Sequence, residues 1–273
     1  MIANDLSEEH RAKLQSVLEE GGAPRVVAYI QSNRDAELRR TLYSLARRAF
    51  PEREGHGRKF DDLIFIARAG ITESLRQAAL ARAKLDHELA TECTDSANRL
   101  SYNLSADLAD CWPGDENPRE RRHLEAGFRA ACDCIVWRQE LGKPPDRRAM
   151  AYWAAGMHQL SLGNAVEALG WFETAAGLAA KAVAGESSDG ASDVTADYVK
   201  PGGDFGVILY HGYAGLARHI LGSSEGIHQY KRACLSFQGT INNFKDPEMI
   251  EDAKFGLEQL RWVERKLTGK EST

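Results

Sequence analysis

The sequence predicts an all-α protein of about ten or eleven helices, packed as antiparallel hairpins. Three observations carry this. Alanine supplies 38 of the 273 residues and valine only 10; Ala, Leu, Arg and Glu lose little freedom in a helix, whereas β-branched residues are what strands favour. The eight prolines (24, 51, 113, 118, 144, 145, 201 and 247) fall between apolar-periodic segments, where helices start or stop. Finally, no run of alternating apolar and polar residues is bounded by a hairpin dipeptide.

The elements follow in order. Ser7 reads as the cap of a first helix, with Glu8 and Glu9 in its opening turn and Gly21-Gly22 at its end. Pro24 to Asn33 reads as a short second helix and Arg34 to Phe50 as a third. Pro51 to Lys59, with Gly55 and Gly57, reads as a loop. Phe60 to about Asp110 is helical, with breaks expected near Gly70 and near Lys84 to Asp86. Pro113 to Pro118 is a turn, Arg119 to Leu141 a helix, and Gly142 to Pro145 the spacer before Asp146 to Leu162. Gly185 to Gly203, GESSDGASDVTADYVKPGG, has few large apolar groups and predicts an exposed, mobile insertion. Asp246, Pro247 and Glu248 occupy N-cap, N1 and N2 of a last helix. One face of that helix is apolar through Ile250, Ala253, Leu257, Leu260, Val263 and Leu267. The expected organisation is an N-terminal helical segment (1–57), helical hairpins (58–143), a further hairpin (144–184), the insertion (185–206) and a last hairpin with a terminal helix (207–273), together one continuous domain.

Charge and compartment narrow the function classes. Lys+Arg 35 against Asp+Glu 40 gives a net charge of -5, so no global basic bias points to nucleic acid or an anionic membrane. The first residues hold no apolar stretch of a secretory signal, and the longest polar-poor stretch, Ala149 to Met157, is far shorter than a membrane span. Five scattered cysteines, 93, 111, 132, 134 and 234, read as reduced thiols of a cytoplasmic protein.

One segment has the pattern of a known repeat. Ala149 to Ala180 reads AMAYWAAGMHQLSLGNAVEALGWFETAAGLAA, with Tyr152, Gly156, Gly163, Ala168, Phe172 and Ala175 at regular places. Gly156 and Ala168 are small where two helices of a hairpin cross, Gly163-Asn164 can end the first helix in the left-handed conformation, and Tyr152 and Phe172 are large enough to fill the space between hairpins. This resembles a tetratricopeptide repeat, a helical hairpin of 34 residues. The sequence departs from the pattern at Ala155, where leucine is usual, and at Ala180, where proline is favoured. A degenerate copy begins at Tyr210, where Gly215 and Gly222 repeat the spacing of Gly156 and Gly163 at an offset of 59 residues; Ile227 and Lys231 fall where the small residue and the aromatic belong. The excess over one repeat is close to the length of the 185–203 stretch. The resemblance implies a stack of hairpins, an α-solenoid or a less regular bundle, whose first helices line a peptide-binding groove. Residues 150, 153, 157, 160 and 161 (Met150, Trp153, Met157, Leu160, Ser161) are its groove positions in the better copy. In the poorer copy they are Leu209, Gly212, Leu216, His219 and Ile220. That surface is aromatic and aliphatic and lacks a Lys/Arg clamp for a terminal carboxylate.

Other constellations point to no chemistry. Cys132 and Cys134, two apart on a helix, face about 200° away from each other and cannot close on one ion. Asp107 and Asp110 with His123 could hold a divalent ion or share proton transfer, though a solvated helix end explains them as well. Asp61-Asp62 suits the positive end of a helix. His158, His211, His219 and His228 show no H-E-x-x-H arrangement. There is no phosphate-cradling Gly-Lys-Ser/Thr and no G-x-S-x-G. Arginines 34, 39, 40, 47, 48 and 119, 121, 122 lack the interleaved aromatics of single-strand readers.

The expectation is a non-enzymatic cytoplasmic module, without cofactor or metal, that binds another protein or peptide and neither nucleic acid nor membrane. Two other readings stand beside it: an immunity-type inhibitor of a bacterial toxin, and a helical enzyme or ligand sensor centred on Asp107, Asp110 and His123.

Overall fold

A computed structural model describes residues 2–47, 59–185 and 198–269. The described residues form ten helices and no strand: α1 Ile2–Gln31, α2 Ala36–Ala46, α3 Phe60–Ala83, α4 His87–Leu108, α5 Arg121–Glu140, α6 Pro145–Ser161, α7 Ala165–Ala184, α8 Phe205–Ile220, α9 Ser224–Asn243 and α10 Pro247–Thr268. No helix among them is long and apolar enough to cross a membrane. The all-α expectation holds. The chain divides into two compact units, one of residues 1–108 and 116–141, the other of residues 109–115 and 142–273.

In the first unit, α1 begins at Ile2, so Ser7 lies inside it, while Gly21 and Gly22 leave helical geometry and split it in two. Asp35 caps α2, accepting from the amides of Glu37 and Leu38. The loop expected over Pro51–Lys59 falls almost wholly outside the described residues. Gly70 does not break α3. It is a contact point, where a Cβ would come within 2.9 Å of Tyr43 and 3.0 Å of Leu100, so the lack of a side chain lets α2 and α4 close on α3. The real break is the turn Lys84 to Asp86, where Leu85 adopts a φ of 61°.

The first unit's core is unusually polar. Glu73, 4% exposed, accepts hydrogen bonds from Arg39 (2.8 Å), Arg76 (2.9 Å) and Gln77 (2.7 Å). Arg40 reaches from α2 to Gln77 and, at 2.8 Å, to Glu92 on α4. Burial alone would raise the Glu73 carboxyl, but the three hydrogen-bond donors outweigh it and hold it at about 2. The apolar core of the same unit includes Leu14, Ile30, Leu42, Tyr43, Leu63 and Leu104.

The second unit is packed through small residues and aromatic rings. Helices α6 and α7 form one antiparallel hairpin, and α8 and α9 another. Their turns coincide at the 59-residue offset. Gly163 donates to the Leu160 carbonyl and Asn164 to that of Gln159; Gly222 donates to His219 and Ser223 to Arg218. Both glycines sit at φ 85°, a conformation that costs a side-chain-bearing residue about 1 kcal/mol or more. Within the first hairpin a Cβ on Gly156 would lie 2.6 Å from Phe172, so these helices cross with no atoms to spare. Phe172 then stacks on Tyr213 of α8 at 5.3 Å between ring centres, joining the two hairpins.

The degenerate copy differs from the pattern expected of it. The inward positions of α9 are Gly226 and Tyr230, not Ile227 and Lys231. Gly226 donates to Ser223 three residues back, whereas Ala168 in α7 donates to Asn164 four residues back. The tighter opening turn advances α9 by one residue. Gly226 therefore meets the backbone of α8 at the crossing, and Tyr230 is the buried aromatic, 2% exposed.

Part of the stretch predicted to be an exposed, mobile insertion is ordered. Residues 186–197 lie outside the described residues, but 198–203 form a turn held on α9. Gly202 donates to Thr240 Oγ1 at 2.8 Å, Arg232 donates to the Val199 carbonyl at 3.3 Å, and Val199 is 2% exposed.

Candidate functional site

The groove residues named from the sequence are mostly core. Trp153, Met157, Leu160, Leu209 and Leu216 are between 0% and 4% exposed. Met150, Ser161 and His219 are half-buried, and Ile220 is exposed. The chain itself covers this face. Trp112, from the segment 109–115, meets Trp153 edge-on at 6.0 Å between ring centres. Helix α10 lies on α8 so closely that a Cβ on Gly212 would be 2.8 Å from Leu260. Gln259 of α10 donates to Cys111 Sγ at 3.6 Å, and Lys266 pairs with Asp110. Trp153 therefore packs on the 109–115 segment and Gly212 on α10.

The polar trio is not a centre. Asp107 is fully buried and held by Arg47 through both carboxylate oxygens. Asp110 pairs with Lys266. His123 closes a capping box: its Nδ1 accepts the Glu120 amide at 3.1 Å, and its Nε2 lies 3.2 Å from Asp61 Oδ1. Each member has its own partner. No group of three His, Cys, Asp or Glu side chains among the described residues is placed to hold a metal ion. None of the five cysteines is in a disulfide. Burial pushes Cys134 and Cys234 up to about 11, which leaves them as thiols rather than reactive thiolates at neutral pH.

The residues that do form an accessible site lie where α8, α9 and α10 meet the 198–203 turn. A cleft of about 390 Å³ opens there, within the range of about 300–1,000 Å³ typical of ligand sites. Phe205, Ile208, Phe237, Met249 and Ala253 are its apolar lining, and Gly202 and Gly203 are one wall. The wall is rigid because Gly202 has a φ of 74° and Phe244 lies directly against it, leaving no room for a side chain. Four carboxylates complete the lining, Asp204, Asp246, Glu248 and Asp252.

Two of these acids have local work. Asp204 Oδ1 accepts the Val207 amide at 2.9 Å and Asp246 Oδ1 accepts the Glu248 amide at 3.1 Å, capping α8 and α10. Each keeps a second oxygen uncommitted by these caps. None of the four makes an ion pair among the described residues, and no Lys, Arg or His lines the cleft. The aromatic lining continues outward. Phe205 lies 5.7 Å from Phe237 and 6.5 Å from Phe255, Phe255 is 40% exposed, and Trp112 stacks on its other side at 6.1 Å.

A second cleft, of about 240 Å³ in the first unit, carries both signs of charge by contrast, with Arg68, Arg122 and Arg129 beside Asp61 and Glu125. Its Arg122 pairs with Asp61 at 2.8 Å and its Arg129 faces Glu125 at 3.9 Å. The sequence does contain the acids of the first cleft, but Asp246 and Glu248 read there as a helix start, which they also are. Asp204 and Phe205 join them only through the packing of α8 against α10.

Compared with models of protein families and with curated proteins, the chain matches none.

Proposed function

We propose that this chain is a non-enzymatic module that binds another protein, built on a helical-hairpin scaffold similar to tetratricopeptide repeats. The observation that carries the reading is the pair of stacked hairpins, α6–α7 and α8–α9, whose turn hydrogen bonds coincide residue for residue. Stacked hairpins of this kind build long surfaces from repeated units, and such surfaces serve chiefly to hold other chains. The residues best suited to catalysis support the same reading, because Asp107, Asp110 and His123 are each consumed by a separate structural pair. The binding surface differs from the usual groove, since α10 and the 109–115 segment already occupy that face. What remains open is the edge formed by α8, the 198–203 turn and α10.

The test is affinity capture from lysate of the native host on the immobilised full-length chain, read by mass spectrometry and repeated with the captured protein as bait. Reciprocal capture of one protein at a fixed stoichiometry is the expected result. Failure of reciprocal capture, together with stabilisation of the chain by a small metabolite, would overturn the reading.

A further inference from the structure

We infer that the acid-rimmed cleft at the α8–α10 edge holds a basic segment of the partner, one in which Lys or Arg residues alternate with apolar ones. This inference rests on the protein-binding reading and adds the place and the chemistry.

Charge complementarity carries the argument. Asp204, Asp246, Glu248 and Asp252 bring four carboxylates to one opening with no Lys, Arg or His among the lining residues. Several acids elsewhere are paired, Glu73 with Arg39 and Arg76, Asp107 with Arg47, Asp110 with Lys266, Asp61 with Arg122. These four are gathered at one opening without such a pair. Like charges gathered without a counter-charge repel one another, and a cationic occupant relieves that repulsion while gaining attraction of its own.

The second half of the argument is the lining. Phe205 and Met249, both half-buried, are the apolar groups the cleft leaves accessible, with Ile208 and Phe237 buried behind them, and Phe255 adds an exposed aromatic ring beside Phe205. A hydrated cation alone gains nothing from such a surface. A peptide uses both features, seating an apolar side chain on the rings, laying the aliphatic stems of Lys or Arg along them, and placing the charged heads among the rim carboxylates. The wall does not have to form on binding, because Gly202 is fixed by its hydrogen bond to Thr240 and by Phe244. A preformed site loses little ordering entropy, so the contacts appear in the affinity.

The variants follow from the division of labour among the acids. Asp204 and Asp246 are helix caps and stay untouched. Glu248 and Asp252 accept no hydrogen bond that holds the fold and are exposed, so Glu248→Gln/Asp252→Asn removes charge and leaves the shape. Glu8→Gln/Glu9→Gln removes the same charge from exposed positions of α1. Binding of a fluorescein-labelled peptide, Lys-Leu-Arg-Phe-Lys-Leu-Arg, to the full-length chain is followed by fluorescence polarisation. Its analogue with Gln at every basic position, and unlabelled spermidine as competitor, complete the set. The expected result is saturable binding of the basic peptide, weakened about fivefold to tenfold by Glu248→Gln/Asp252→Asn and less than about twofold by Glu8→Gln/Glu9→Gln. The Gln analogue is expected to bind at least about tenfold more weakly, and spermidine to compete poorly.

Three results would overturn the inference: equal weakening by both double variants, which means diffuse attraction; displacement by spermidine at concentrations matching the peptide, which means a small-polycation site; or no saturable binding up to about 1 mM. A host protein captured equally by wild type and by Glu248→Gln/Asp252→Asn would leave the binding function standing and remove this cleft from it. Absence of both capture and peptide binding would remove both.

Discussion

The two units hold their helices together by different chemistry. In the first, α2, α3 and α4 meet through charged and amide side chains: Arg39, Arg40, Glu73 and Gln77 are buried or nearly so and bonded to one another. In the second, α6 to α9 meet through the absence of side chains at Gly156, Gly215 and Gly226 and through rings at Phe172, Tyr213 and Tyr230. The difference teaches what each arrangement depends on. Close glycine crossings depend on shape alone, while the pH-sensitive group of these hairpins is His211, whose imidazole is held down to about 4 by burial. A buried ionic network is favourable only while every member carries its charge, because one lost partner leaves another charge uncompensated in the interior.

The sharpest way to break the comparison is at the shifted hairpin. Tyr230 is buried and its hydroxyl donates to Glu264 at 2.8 Å, whereas Lys231 is exposed. Tyr230→Ala is expected to cost about 3–5 kcal/mol in urea unfolding, and Lys231→Ala less than about 0.5 kcal/mol. A larger cost at Lys231 would restore the unshifted alignment of the two hairpins and remove the account given for Gly226.

A smaller effect sharpens the contrast in pH. The Glu73 carboxyl titrates near 2 in the folded chain, below its ordinary 4.5. Its contribution is therefore complete above about pH 4.5 and is lost as pH falls towards 2, because the unfolded chain takes up the proton first. The loss amounts to roughly 3 kcal/mol over that interval. Glu73→Gln is expected to lower stability at neutral pH and to flatten this part of the stability–pH curve. An unchanged acid limb in Glu73→Gln would show that the network does not set the acid sensitivity of the first unit.

Legibility in the sequence followed the range of the interactions. The turns at Gly163 and Gly222 were readable because a left-handed helix end is a local demand, met by glycine at fixed spacing. The start of α10 was readable for the same reason, from Asp246-Pro247-Glu248. The one-residue advance of α9 was not, because it depends on a single opening turn whose pitch no side chain announces. Gly70 read as a break, yet it is a contact, since only the position of Tyr43 and Leu100 gives a mid-helix glycine its purpose. Trp153 and Gly212 read as groove positions, and the groups that pack on them, Trp112 and Leu260, are far away along the chain. The cleft was hidden for a related reason. Its acids are helix caps and first-turn residues by local logic, and only the packing of α8, α9 and α10 brings them to one rim.

The most direct measurement of the central claim is hydrogen–deuterium exchange of the full-length chain, with and without the partner recovered by affinity capture. The account predicts added protection at Gly202–Ile208 and Glu248–Ala253, with α2–α5 unchanged. Protection confined to α2–α5, or no change anywhere while the complex is intact, would contradict it.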